Sequence, residues 1–229
     1  GDIIEADVVV SNGDVYYTYR HLLNDTKHAS KIARIERSSS ALIFYWGIEK
    51  RFSELGLHNI LFSNAYEEEF QHIFKNKTLH NDPTVYINIT SKMESHHAPE
   101  GCENWFVMIN APVQEGQDWT EMKNLARKNI ISKVNRLLSC DIEQHISSET
   151  VLDPVGIFNN TGTYKGALYG TSSNSKWSAF LRPANFSKRW KGLYFCGGTV
   201  HPGGGIPLCL KSAEITSTMI RSDYQKKYA

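Results

Sequence analysis

Three valines in succession, within Ala-Asp-Val-Val-Val-Ser at residues 6–11, form the first apolar block, and Asn12-Gly13-Asp14 stops it. Side chains alternate between the two faces of a strand, so an unbroken valine run predicts a strand buried on both faces and ended by turn chemistry. The first 14 residues supply no neighbour for it. It either enters a sheet completed by the C-terminal part of the chain or belongs to a sheet whose other strands lie outside these residues. Residues 15–23 place Tyr16, Tyr19 and Leu23 near one helix face, and the polar, basic residues 24–40 read as a connection. Aromatic and β-branched residues at 41–50 and 59–62 predict strands, and residues 67–74, with acids first and Phe70, Ile73 and Phe74 at helical spacing, predict a helix. Residues 84–90 and 105–111 alternate as strands, separated by a loop holding His96, His97, Pro99 and Gly101. The longest helix is predicted at 119–139, with an apolar face of Met122, Leu125, Ile130, Val134, Leu137 and Leu138.

These elements do not alternate strictly between strand and helix, so residues 38–150 predict a mixed or antiparallel sheet with helices. From Ser147 the texture changes, and residues 155–187 are rich in Gly, Asn, Ser and Thr with little regular pattern. A short buried strand is then predicted at 192–198 and a helix at 207–220, joined by a turn rich in Gly and Pro.

Composition narrows the function classes. Hydrophobic residues are 41% and aromatics 11% of the 229, enough for a packed core rather than disorder. With 25 Lys and Arg against 24 Asp and Glu, the net charge of +1 exerts no long-range pull on nucleic acid. Cys102, Cys140, Cys196 and Cys209 form no CxxC pair, and no His pair has finger spacing, so no metal site is predicted. The thiols read as small, buried or half-buried apolar residues in a reducing compartment. No apolar run nears the roughly 20 residues that span a bilayer. The chain opens at Gly1 without an initiator Met, which favours a fragment.

The stretch that carries chemistry is Leu-Tyr-Phe-Cys-Gly-Gly-Thr-Val-His-Pro-Gly-Gly-Gly-Ile-Pro from residue 193 to 207. A strand ends at two glycines, and Pro207 falls where a helix begins. A helix N-terminus directs free N–H groups and a partial positive charge outward, and glycines let a ligand approach the backbone. An anion or polarised carbonyl held there and a plain structural turn are equally open on composition alone. The stretch is not a phosphate-binding loop with Gly-Lys-Ser/Thr, nor a GxGxxG dinucleotide fingerprint.

Here the sequence resembles a known family. Gly-Gly-Thr-Val-His-Pro-Gly-Gly-Gly-Ile-Pro followed by Ser212-Ala213 is similar to the C-terminal flavin-binding signature of the phytoene desaturase (carotenoid desaturase) family. Residues 6–12 resemble that family's strand returning to the flavin domain. Residues 82–91 and 97–112 resemble its substrate-domain core, and residues 168–185, including Phe-Leu-Arg-Pro-Ala-Asn, resemble the segment before the signature. The four stretches occur in the family's order and cover nearly the whole chain.

The resemblance implies a truncated FAD-dependent amine-oxidase-like fold of α/β (α+β) class. Residues 1–37 and 155–229 would contribute to a Rossmann-like FAD domain, and 38–154 would form the substrate domain. It implies a FAD-dependent oxidoreductase that introduces double bonds into a carotenoid, phytoene or hydroxycarotenoid; the Gly-Gly-Thr-Val-His-Pro-Gly-Gly-Gly form leans towards the 3,4-desaturase branch. The family's N-terminal GxGxxG half would lie upstream of Gly1, so the chain by itself is expected to be inactive and to lack FAD.

By position, Gly204, Gly205, Ile206 and Pro207 would face the isoalloxazine ring, and Gly197, Gly198 and Thr199 would follow the ribityl chain. His201, which orients flavin or substrate or is a structural histidine, and Arg182, which lines the site or forms an ion pair, are the catalytic candidates. His96 and His97 read as solvated and Asp153 as a turn residue. A lipid-soluble substrate implies a cytoplasmic protein in peripheral contact with the membrane. Two rival readings stand beside the desaturase: a carotenoid isomerase using reduced flavin, and a non-catalytic module that binds a polyene or partner. Amine oxidation on the same fold fits the surroundings of the turn less well.

Overall fold

The first valine strand pairs in parallel with the strand that runs into the glycine turn, and the rest of the topology follows from that split. The structure is a computed structural model and describes residues 1–172 and 182–228. Residues 173–181 of the 168–185 segment, Phe180 and Leu181 among them, lie outside the described residues. In chain order, β1 (Val9–Ser11) leads to α1 (Val15–Tyr17), which continues as a π-helical turn over Thr18–Leu22, and then to α2 (Thr26–Ala33). Next come β2 (Ser40–Ile48), β3 (His58–Leu61), α3 (Tyr66–Gln71), β4 (Val85–Asn88) and β5 (Glu103–Ala111). The last elements are α4 (Trp119–Leu138), β6 (Ile146–Leu152), α5 (Pro154–Thr161), β7 (Leu193–Phe195) and α6 (Ile206–Tyr228). Two compact units result: unit 1 is Gly1–Ser38 with Phe158–Ala229, and unit 2 is Ser39–Ile157.

Unit 2 is built on a five-stranded sheet in the order β3-β4-β5-β2-β6. Every neighbouring pair is antiparallel. Alternate positions of β2, β4 and β5 put Leu42, Phe44, Trp46, Val85, Ile87, Trp105, Val107 and Ile109 into one core. Ala126, Ile130, Ile131 and Val134 of α4 pack into the same core. Asp118 starts that helix by accepting from the amides of Thr120 and Glu121 at 2.9 and 3.1 Å. Two buried charged groups in this unit are paired, whereas the Trp119 indole nitrogen and the Ser91 hydroxyl are buried without a hydrogen-bond partner among the described residues. Glu103 accepts from the Trp105 indole at 2.8 Å and pairs with Lys92 at 2.6 Å. Lys133, 3% exposed, donates to the carbonyls of Phe62 and Pro83 and meets Asp82 at 2.9 Å.

Unit 1 contains the parallel pair β1–β7, with Val9, Val10 and Ser11 opposite Leu193, Tyr194 and Phe195. Its core is small: Val15, Tyr19, Ala29 and Ile32 pack with Leu193, Phe195 and Val200. Tyr16 and Leu23 lean on that cluster, so the helical face predicted over 15–23 is the one used.

Several sequence expectations need correction. The valine strand forms, yet Val9 and Val10 are 54% and 46% exposed, because β7 is the strand it pairs with among the described residues. Residues 24–40 are not merely a connection: α2 forms there, capped by Asp25, whose side chain accepts from the His28 amide at 3.2 Å. Its signal is masked because Lys, His and Ser dominate the segment and only Ala29 and Ile32 are buried. On α4, Leu125 and Leu137 face outward, while Ala126, Ile131 and the Lys133 side chain face in. The region after Ser147 also holds more regular structure than its texture suggests, namely the remainder of β6 and the helix α5. There Asp153 does act at a turn, accepting from the Gly156 amide at 2.8 Å and pairing with Lys123 at 3.0 Å. His96 and His97 are exposed as expected, and the four cysteines are free and half-buried.

Candidate functional site

The glycine turn sits at the carboxyl end of β7, beside the carboxyl end of its parallel neighbour β1. In open parallel α/β sheets this is the end where ligands bind, because loops and helix N-termini converge there. Asn12 follows β1, and a Cβ added to Gly197 would lie in ordinary contact with it, 3.4 Å from its side chain and 3.6 Å from its carbonyl oxygen. The φ of +108° is what reserves position 197 for glycine.

Three side chains lock the turn from beneath. Asn185, 4% exposed, reaches the Phe195 carbonyl at 3.3 Å, the His201 carbonyl at 2.9 Å and the Ser212 hydroxyl at 2.9 Å with its amide nitrogen. Ser212 in turn accepts from the Gly197 amide at 3.1 Å, and Thr216 donates to the Phe195 carbonyl at 2.7 Å. The Thr199 hydroxyl accepts from the Val15 amide at 3.1 Å, joining the turn to the start of α1. Asn185, Ser212 and Thr216 were not legible as site residues. Asn185 and Ser212 fall in stretches that carry the family resemblance, and Ser212 and Thr216 have the i, i+4 spacing of one helix face.

Arg182 lies against the same turn. Its guanidinium donates to the carbonyls of Tyr169 at 3.0 Å, Thr171 at 3.0 Å and Gly198 at 3.3 Å. Burial lowers its pKa from the ordinary arginine value, and the group remains a cation stapling three carbonyls. A Cβ on Gly203 would strike that guanidinium at 2.9 Å, and one on Gly204 would meet the Tyr169 ring at 2.5 Å. Those two glycines are therefore explained by packing within the protein. Gly205 differs: its φ is +97°, and an added Cβ would meet nothing within 4 Å. Ile206, the first residue of α6, is 79% exposed beside it, and Pro207 and Leu208 are also exposed. His201 has an exposed side chain, while its backbone amide donates to the Pro183 carbonyl at 2.9 Å.

The turn therefore has two halves. Gly197, Gly198, Thr199, Gly203 and Gly204 are held against the protein, whereas Gly205, Ile206 and Pro207 present backbone and an apolar surface at the mouth of a long helix. The combination of amide N–H groups, the positive end of a helix dipole and an exposed isoleucine suits a flat ligand that is apolar on its face and electron-rich at its rim. Below the turn, burial raises the Cys196 thiol pKa, partly offset by the Asn12 side chain, so this cysteine is an inert apolar residue.

Unit 1 also has a cavity of about 540 Å³, but it lies at the opposite end of the strands, lined by Asp7, Val8, Leu193, Tyr194, Ile220 and Tyr224. It is the recess between the amino ends of β1 and β7 and the later turns of α6, and Ser187, Lys191 and Asp223 also line it.

Sequence comparison finds no matching family model. A 1-hydroxycarotenoid 3,4-desaturase from Flavobacterium sp. (strain P99-3) is 59% identical over 94% of this chain and 44% of its own length. A phytoene desaturase from Fusarium fujikuroi is 30% identical over 97% of the chain and 43% of its own length. A 4,4'-diaponeurosporene oxygenase from Staphylococcus haemolyticus is 33% identical over 97% of the chain and 45% of its own length. The chain thus spans less than half the length of each of these relatives. The fold is similar to that of an oxidoreductase from Methanosarcina mazei, with a TM-score of 0.50 at 13% identity over 93% of this chain and 44% of that one.

Proposed function

We propose that this chain, a relative of the carotenoid desaturases along nearly its whole length, is the C-terminal part of a FAD-dependent enzyme that desaturates a hydroxycarotenoid or phytoene-type polyene. The observation that carries the reading is the open backbone at Gly205 and Ile206, on the carboxyl side of a parallel strand pair, in a chain 59% identical to a hydroxycarotenoid desaturase. On this reading unit 1 is the described share of the FAD domain and unit 2 is the substrate domain.

The residues fit the cofactor. Gly205 leaves room for a ring to approach the main chain, and Ile206 offers an apolar contact to its face. FAD, when bound, supplies the acceptor for a hydride equivalent from an allylic carbon of the polyene, and loss of a proton from the neighbouring carbon completes the new double bond. The protein's share is positioning and electrostatics. The amides at the start of α6 favour negative charge at the ring's pyrimidine edge. Gly197, Gly198 and Thr199 line the path of the ribityl chain, held in place by Asn185 and Ser212. Arg182 acts as a positioning residue, since its donors are committed to three carbonyls of the segments that frame the turn. His201, exposed at the turn, orients flavin or a substrate end.

The partner on this reading is an N-terminal half carrying a GxGxxG strand-helix unit that grips the FAD diphosphate. Two observations support it: the chain spans less than half the length of its relatives, and β1 exposes side chains on both faces. Parallel strands ordinarily lie inside sheets covered on both sides. No helix among the described residues is long and apolar enough to cross a membrane, and access to a lipid-dissolved substrate is by peripheral contact at the cytoplasmic face.

The test uses the complete protein together with the 229-residue chain. The complete protein is expected to purify with one equivalent of oxidised flavin and to convert a 1-hydroxylated carotenoid to a product lacking two hydrogen atoms. The 229-residue chain is expected to purify without stoichiometric flavin. An unchanged product mass would replace desaturation with isomerisation, and a gain of oxygen would replace it with oxygenation. Gly205→Ala places a Cβ where no protein atom lies within 4 Å and strains the backbone, at φ +97°, by about 1–3 kcal/mol, while flavin retention is expected to fall. Undiminished flavin in that variant would remove the glycine turn as the cofactor site.

A further inference from the structure

Tyr169 stands beside the open half of the glycine turn, and the geometry points to its ring as a wall of the flavin slot, in contact with the bound isoalloxazine and with the polyene that reaches it. This rests on the reading of the turn as the cofactor site and goes beyond it by adding a residue from outside the turn, with a part in admitting substrate.

The ring is placed by its own backbone. The Tyr169 amide donates to the Ser38 hydroxyl at 3.0 Å, and its carbonyl accepts from the Arg182 guanidinium at 3.0 Å. The next residue, Gly170, has φ at +69°, and a Cβ there would lie 2.9 Å from the Thr199 Cα. The Gly170 carbonyl accepts from the Ser38 amide at 3.0 Å. Residues 169 and 170 are thus fixed against the turn at Thr199 and, through Arg182, at the Gly198 carbonyl. A tyrosine that leaves so tied a backbone has only two side-chain torsions to order, so it offers a large contact area at small entropic cost.

Gly204 completes the placement. A Cβ at that position would come within 2.5 Å of Tyr169 Cδ1, 2.8 Å of its Cβ and 3.0 Å of its Cγ. Gly204 is not among the glycines with positive φ, so its backbone would accept an L side chain, and the ring is the nearest obstacle to one. The turn gives up a side chain to bring the ring flush with the main chain, one residue before the open Gly205 and two before Ile206.

Packing on Gly204 does not account for the rest of the ring. Tyr169 is 47% exposed, and Leu168, Ile206 and Leu208 are exposed with it. Single apolar residues at a surface need no explanation, but several gathered at one turn mark a binding surface. An aromatic ring and an isoleucine beside the same open amides supply apolar walls around a polar floor. The floor suits the electron-rich rim of a flavin, and the walls suit its tricyclic body and a planar conjugated chain.

The experiment uses the complete, flavin-loaded protein. A phenol in contact with an excited isoalloxazine quenches its fluorescence by electron transfer, whereas a phenyl ring or an alkyl chain does not. Tyr169→Phe keeps the packing on Gly204 and removes the quencher, so the fastest component of the flavin fluorescence decay should disappear while flavin content is kept. Gly204→Ala leaves the phenol in the chain but pushes it aside, and should also remove that component. Tyr169→Leu removes the aromatic wall, and KM for the polyene should rise about 3- to 10-fold with kcat within about 2-fold, the effect of one lost aromatic contact. Tyr169→Phe should bring KM back to within about 2-fold of wild type, because the ring and not the hydroxyl makes that contact. Gly204→Ala covers the case in which Tyr169→Leu fails to fold, with a rise in KM of the same direction. A decay that lacks a fast component in wild type, or keeps it in both Tyr169→Phe and Gly204→Ala, would overturn the flavin contact. An unchanged KM in the folded Tyr169→Leu and Gly204→Ala variants would overturn the substrate contact. Wild-type protein that carries flavin while the variants behave like it leaves the cofactor reading standing and the wall refuted; wild type that purifies without flavin refutes both.

Discussion

In unit 2, five antiparallel strands and α4 enclose Trp46, Trp105, Phe44 and a continuous set of aliphatic side chains. In unit 1, two parallel strands carry a core of a few residues, and Val9, Val10, Ile206 and Leu210 remain exposed. The difference is one of cover. An antiparallel sheet can cover one face with a single helix and leave the other available for a ligand, whereas parallel strands need crossover helices and cover on both faces. Unit 2 accordingly draws its order from apolar burial, and unit 1 draws much of its order around the turn from hydrogen bonds made by Asn185, Ser212, Thr216 and Arg182.

The largest effect that separates the two units is expected from Trp105→Ala. The ring is 1% exposed, and its indole nitrogen donates to Glu103, which is itself buried. Truncation opens a cavity and leaves a carboxylate oxygen short of a donor, a loss of about 3–5 kcal/mol. Urea unfolding should show a large drop in the stability of unit 2 with the amide exchange of the glycine turn unchanged. Equal losses in both units would mean that their stabilities are not separable.

Asn185→Ala is the matching cut in unit 1. It removes the donor to the His201 carbonyl and the Ser212 hydroxyl and should cost about 1–3 kcal/mol. Hydrogen exchange at the Gly197 amide, which donates to Ser212, should speed up by about 10-fold or more while β5 amides stay protected. Unaltered exchange at Gly197 would show that the turn is held by something other than this network.

The smallest effect concerns pH. Burial alone would raise the Asp82 carboxyl, but the Asn64 amide, the Lys133 ammonium and the more distant Arg136 outweigh it and hold its pKa below the ordinary value of 3.8. A carboxylate depressed in the folded state contributes stability above its unfolded pKa and loses it as the pH falls through the lower folded value. Unit 2 should therefore lose stability progressively below about pH 4. Asp82→Asn should flatten that acid limb at a neutral-pH cost of about 1 kcal/mol. An acid limb of unchanged steepness would assign it to other carboxylates.

Most of unit 2 was legible in the sequence because its strands alternate or carry aromatics at high density, and those patterns survive without knowing the neighbours. The boundaries of β2 through β5 and the length of α4 follow from them. The face of α4 was misjudged in part, since Leu125 and Leu137 point outward and the long stem of Lys133 is buried so that its ammonium can reach the carbonyls of Phe62 and Pro83. Helix α2 escaped notice because a mostly polar segment becomes helical once Asp25 caps it and two small apolar contacts dock it.

The sequence by itself determined that glycines and a helix start coincide at residues 197–207, because loss of side chains and the placement of Pro207 are local facts of the chain. It also determined the alternation that puts Tyr86, Met108 and Ile43 on the face opposite Ile87, Val107 and Phe44. Tertiary structure decided which glycines serve packing and which one faces open space, because that depends on Arg182 and Tyr169 arriving from elsewhere in the chain. Only the fold could also bring Ile60, Tyr86, Met108, Ile43 and Leu152 into line, since register between strands distant in sequence is fixed by the shared core on the opposite face.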